Sequence, residues 1–222
     1  MNNKDLKLKL DVISNLIAST SYYYQNLKFI VQDSDNNQQE IINKYPFLKN
    51  LENILWAVTI LDLNKLLSSN NDTDHYNINK LLNEVINNFK NIKWQHPLKC
   101  QDIRAMKDKF NVNSSEIKNL QKIRSSYVAH YDGKNEIIDF KLDSLSKLLS
   151  LCQTTHDKLN YALSNSSTDW TYSYELIPSL ITDLRKSNEL RDLYFRNKVK
   201  LVDNVPFKEI EDVYHLTDWI CR

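Results

Sequence analysis

Glycine is nearly absent from this chain, with one in 222 residues, at Gly133, beside only four prolines. Tight β-hairpin turns depend on glycine at positive φ, so a hairpin-built sheet has little to turn on. The same scarcity excludes a glycine-rich phosphate loop, and with it nucleotide hydrolysis of that type. Cysteine is also sparse. Cys100, Cys152 and Cys221 are widely spaced and odd in number, which argues against a disulfide framework and for a reducing compartment. No apolar run approaches the roughly 20 residues of a membrane span. The first residues carry Lys4, Asp5, Lys7 and Lys9 among leucines, leaving no uncharged core for a signal peptide. Net charge is +1, too small for a broad duplex-DNA surface, although a local cationic groove is compatible with it. The expectation is a soluble cytoplasmic protein.

What is present is helical periodicity. Hydrophobic residues make up 41% and charged residues 26%, a globular composition on a chain long enough to bury a full core. Leu6, Leu10, Ile13, Ile17, Tyr24, Leu27 and Val31 recur at mostly three- and four-residue spacings. A polar break from Asp33 to Gln39 ends that helix. Pro46 opens a second, whose apolar face (Leu48, Leu51, Ile54, Leu55, Val58, Leu61) is wide enough to predict a central, largely buried element. Ser68 to Asp74 reads as a loop. A third helix runs from Ile78 to about Ile92 and closes at His96-Pro97. Residues 97–112 read as irregular with a short helix. A fourth helix opens at Ser114, capped by Asn113 or Ser114, with a stripe of Ile117, Leu120, Ile123 and Tyr127, and Gly133 ends it. A fifth covers Leu142 to Leu163. After a Ser/Asn-rich linker, a charged helix is expected over about 176–200 and a short one after Pro206. The 27 asparagines read as a compositional bias. The fold class is all-α: an up-and-down bundle of about five helices over residues 1–165, with a helical extension over 166–222 packed on it.

The chemistry concentrates where the fourth helix ends. Arg124 and His130 stand six positions apart, followed by Asp132 and Gly133. Six residues are about 600° of helix, so the two side chains differ by roughly 120° in azimuth. They converge only if the helix ends near Ala129, or if two copies of it share a groove. A fixed cation and a group titrating near neutral pH suit metal-free RNA cleavage. Histidine moves the protons, while arginine offers a planar fork to phosphate oxygens. The ordinary alternative is an arginine paired with a carboxylate and a histidine favoured by a helix C-terminus.

The run Leu120-Gln121-Lys122-Ile123-Arg124-Ser125-Ser126-Tyr127-Val128-Ala129-His130-Tyr131-Asp132 resembles the arginine…Ala-His-x-Asp signature of HEPN domains, most closely the AbiU-type abortive-infection branch. The resemblance extends over roughly residues 5–165. Ser125 follows the arginine where that family more often has Asn, Asp or His. The resemblance implies a helical bundle that is commonly dimeric, and a metal-independent ribonuclease with Arg124 and His130 at the dimer interface. It further implies RNA as substrate, 2′,3′-cyclic phosphate products, a role in phage defence or as a toxin component, and a nucleotidyltransferase-like antitoxin as a possible partner. No cofactor and no metal are expected. The second reading is a non-catalytic helical module that binds protein or nucleotide.

Other candidates carry less. His156 sits on the apolar face of the fifth helix, as a hydrogen-bonded core histidine would. His96 and Cys100 are four apart, but Pro97 intervenes and no second pair completes a zinc site. His75 reads as a helix-start residue and His215 as a surface one. Tyr22-Tyr23-Tyr24 spread around a helix, suiting ordinary packing first and RNA stacking second. The basic residues of the tail (Arg185, Lys186, Arg191, Arg196, Lys198 and Lys200) are offset by Asp183, Glu189 and Asp192, which suits a solvated face first and an RNA guide second.

Overall fold

A computed structural model describes residues 1–68, 76–129, 140–170 and 176–202. These residues form eight α-helices, and no strand occurs among them. They are α1 (Asn3–Lys28), α2 (Asn36–Lys44), α3 (Pro46–Leu67), α4 (Ile78–Asn87), α5 (Cys100–Val112), α6 (Ser114–Ala129), α7 (Leu142–Ser164) and α8 (Leu176–Val202). The chain divides into two compact units, Met1–Glu175 and Leu176–Arg222.

The first unit is a bundle centred on α1, α3 and α7. The expected stripe of α1 is buried as far as Leu27 (Leu6, Leu10, Ile13, Ile17, Tyr24 and Leu27 face inward), whereas Val31 falls in a π-helical turn over Phe29–Asp33 that turns it outward and buries Ile30 instead. Three hydrogen bonds set α7 antiparallel to α1. Lys7 Nζ donates to Asn160 Oδ1 (3.1 Å), His156 Nε2 to the Leu10 carbonyl (3.2 Å), and Gln153 Nε2 to Ser21 Oγ (2.9 Å). As α1 numbers rise, their α7 partners fall.

One helix stands inside the expected polar break, and the short helix expected within 97–112 is a longer one. The chain breaks at Ser34 and Asp35 as expected, but the rest of the polar run, from Asn36, is the start of α2. Asp35 Oδ1 accepts from the Gln38 N–H (2.9 Å) and Gln38 Oε1 accepts from the Asp35 N–H (2.8 Å), a reciprocal cap. Ile41 and Ile42 supply the buried face of this helix, too short a stripe to register as periodic. The stretch 97–112 contains all of α5, which buries Ile103, Met106 and Phe110 at three- and four-residue spacing. Among the described residues the bundle therefore has seven helices before residue 165, where about five were expected. The third expected helix is shorter, ending at Asn87 with a 3₁₀ turn over Phe89–Asn91.

Asparagine marks the helix ends that glycine cannot. Asn2 caps α1 and Asn77 caps α4, each accepting a backbone N–H. Asn88 and Asn113 close α4 and α5, their amides donating to carbonyls four residues back (2.8 and 2.7 Å). Asn165 ends α7 at φ 53°, the left-handed conformation that only glycine adopts more readily. In the second unit, α8 leaves Leu190, Leu193, Tyr194 and Phe195 exposed, and Arg185 and Glu189 approach to 3.8 Å along it. The helix expected after Pro206 lies outside the described residues.

Candidate functional site

Helix α6 begins one residue after α5 ends. Asn113 breaks the backbone (φ −92°, ψ 17°), and its side-chain amide is spent on the Lys109 carbonyl, so it closes α5 instead of opening α6. From there Ile117, Leu120 and Ile123 are buried, as their spacing predicts. Glu116 ties the first turn to α7 through Lys147 (2.9 Å). That bond and one from Ser115 hold the Glu116 carboxyl far below the ordinary range, at about 2.

Arg124 lies seven positions beyond Ile117. Seven residues make about 700°, so the two share an azimuth to within roughly 20°. Ile117 is 8% exposed, whereas Arg124 falls in the exposed class. The face that α6 buries in its first two turns is thus open at Arg124. No ion pair holds the guanidinium among the described residues. Ser125 donates its hydroxyl to the Gln121 carbonyl (3.0 Å), so this short side chain bonds to its own helix. His130, Asp132 and Gly133 lie outside the described residues, as do His75, His215 and the loop beyond Ser68.

Helix α3 carries a feature that its breadth of apolar sequence concealed. Leu48, Leu55, Ile60, Leu63, Leu66 and Leu67 are buried, and α3 packs on α1 and α6. A second stripe of Phe47, Leu51, Ile54, Val58 and Leu61 follows four- and three-residue steps along another face. There Phe47 is 47% and Ile54 56% exposed, and the other three are half-buried. The expectation of a largely buried helix holds for one face only. Periodicity reports that a face is apolar, not what covers it.

The remaining candidates resolve as packing. His156 is buried, bonded to the Leu10 carbonyl, with its ring edge-to-face with Trp170 (5.3 Å). Because a carbonyl only accepts, Nε2 carries the proton, and Nδ1 is the nitrogen that takes up a second one. Burial lowers the pKa of His156 despite Asp157 Oδ1 at 3.4 Å. His96 stacks on Tyr161 (4.4 Å between centroids) and contacts Asn165 Oδ1 at 2.7 Å. Cys152 is fully buried, which pushes its thiol pKa up. Tyr24 is buried and the Tyr22 and Tyr23 rings meet edge to face at 5.9 Å. Among the described residues no three His, Cys, Asp or Glu side chains gather as metal ligands would, and no helix is long and apolar enough to cross a membrane.

A family model described as AbiU2, of the HEPN group, matches residues 3–176. No curated protein and no solved structure matches the chain.

Proposed function

The chain belongs to the AbiU2 family of HEPN domains, and on that premise we propose that it is a metal-independent endoribonuclease of phage defence or a toxin component, with Arg124 and His130 at a dimeric site. The observation that carries this reading is the exposed guanidinium of Arg124, which has no ion pair among the described residues, on a helix azimuth that is buried two turns earlier. A cation left open on a packing face is placed to meet a phosphate.

The reaction follows from the two residue types. The ribose 2′-oxygen attacks phosphorus and the bond to the 5′-oxygen breaks, leaving a 2′,3′-cyclic phosphate and a 5′-hydroxyl. Neutral His130 accepts the 2′-hydroxyl proton, and a protonated imidazole gives one to the departing 5′-oxygen. Two copies of the chain supply both at once. Arg124 holds the equatorial oxygens as negative charge builds on the phosphorane. Acid–base groups of this kind contribute roughly 10²- to 10⁴-fold each.

A second copy also has somewhere to dock. The uncovered stripe from Phe47 to Leu61 on α3 is the kind of apolar face that marks a protein interface, and α3 packs directly against α6. A two-fold dimer through these helices brings two copies of the Arg124 segment toward one groove. A nucleotidyltransferase-like antitoxin is the partner that the family reading suggests for restraint of the activity. End-group analysis tests the chemistry: RNA incubated with the protein in EDTA is expected to yield 2′,3′-cyclic phosphate ends. Products with 3′-hydroxyl ends, or cleavage that appears only with added magnesium, would refute it.

A further inference from the structure

Helices α5 and α7 enclose a cleft of two adjoining hollows, about 480 and 460 Å³, which share Ala105 and Lys109 in their walls. Each is of a size that takes a nucleotide-sized ligand. Lys109 stands at the junction, Lys147 borders the first hollow and Lys158 the second. Lys147 is occupied by Glu116, but Lys109 and Lys158 have no ion pair among the described residues. Two acids also border the cleft. Asp102 is committed to the first turn of α5, accepting from the Lys99 N–H at 2.8 Å, and Asp108 accepts from Asn111 at 3.4 Å.

The surrounding charge is lopsided. Residues 99–125 hold seven Lys or Arg and three Asp or Glu, a net of +4. The whole chain is +1, so the other 195 residues carry −3. Within that stretch Arg104, Lys107, Lys109 and Lys118 have no ion pair among the described residues.

The cleft also offers contacts that a bare phosphate does not use. Tyr161 is 47% exposed although His96 covers one face of its ring at 4.4 Å, so a flat group can extend the stack from the open side. At the other end Val112, 81% exposed, borders the first hollow and offers an apolar surface to a sugar or base. We propose that the α5–α7 cleft is a binding track for single-stranded RNA. Tyr161 stacks a base, and Lys158 and Lys109 hold successive phosphates. A cationic groove with an aromatic platform is the general solution for holding an unpaired strand. An acidic polypeptide would satisfy the lysines but leave the ring stack without a counterpart. The inference rests on RNA being the substrate, and extends that reading to a surface on other helices than the Arg124 segment.

Binding rather than cleavage tests it. A fluorescent 2′-O-methyl RNA of about 12 nucleotides, within the range of single-strand sites, cannot be cut by 2′-oxygen attack. Its anisotropy with the full chain is expected to report binding that Tyr161→Ala weakens about fivefold or more, the low end for one lost stack. Tyr161→Phe, which keeps the ring, should bind as the unmodified protein does. The double variant Lys109→Glu, Lys158→Glu should lower the slope of log K against log salt by about 1.4, the value for two phosphates on a single strand. Unchanged affinity and salt slope in both variants would overturn the proposal. So would variants that keep RNA binding but lose binding of poly-glutamate, which would make the cleft a protein-docking surface. Absence of cleavage by the unmodified chain would remove the nuclease reading while leaving the binding result standing.

Discussion

Arg124 and His156 are opposite outcomes for polar groups on helix faces. Arg124 shares the azimuth of a buried isoleucine and is exposed. His156 sits on a buried stripe and is satisfied there by the Leu10 carbonyl. The first is the residue of the proposed nuclease site; the second has structural consequences that depend on pH. Because burial depresses the folded-state pKa of His156, folding favours the neutral ring. Its contribution to stability is complete above the unfolded value of about 6.5 and is lost as pH falls from there toward the folded value. Thermal unfolding between pH 7 and pH 5 should therefore show a falling Tm. That fall should be smaller in His156→Gln, which keeps a donor for Leu10 but cannot titrate. Equal falls in the two proteins would mean that other groups set the acid limb. Glu116 acts in the same direction lower down, its stabilising charge being lost only as pH drops from the ordinary carboxylate range toward about 2. At the candidate site, Arg124→Lys keeps a charge but not the fork, so cleavage should fall by less than in Arg124→Ala. Equal losses would assign the work to geometry alone.

Helices end here on asparagine, and that dependence can be measured. Asn77→Ala removes the acceptor that the Lys80 N–H uses at 2.9 Å and should cost about 1 kcal/mol in urea unfolding. A cost near zero would mean that this cap is replaced by water. The open stripe of α3 gives the second prediction at this scale. Ile54→Asp places a charge at its centre, and light scattering at micromolar concentration should then find a monomer where the unmodified chain is a dimer. A dimer that survives the substitution would move the interface elsewhere. The long stripes of α1, α6 and α7 were legible in the sequence because each repeats over several turns. The face of α6 near Arg124 was legible too, since azimuth follows from residue number. Helix α2 was not, and α5 was legible only as a short helix in an irregular stretch. The first has two adjacent isoleucines and a reciprocal cap, and the second follows a proline and alternates charge with its apolar positions. The split of α3 into a covered and an open stripe was also hidden, because a sequence records apolarity and not what lies against it. The cleft between α5 and α7 needs both helices in place before Lys109 and Lys158, 49 residues apart in sequence, border one hollow.

At the scale of the molecule, residues 1–175 form a compact unit whose helices α1 to α7 supply a continuous apolar core. A fragment of those residues should unfold in one cooperative transition; helical signal without a sigmoidal transition would mean that the core needs the remaining chain. The central claim concerns the nuclease site, and single-turnover cleavage of labelled RNA in EDTA tests it most directly. The unmodified chain should cut, while Arg124→Ala and His130→Ala should each be slower by at least about 10²-fold with unchanged helical circular dichroism. Cleavage by His130→Ala at the unmodified rate would contradict the account, and absence of cleavage by the unmodified chain across varied RNAs would leave it as a binding module.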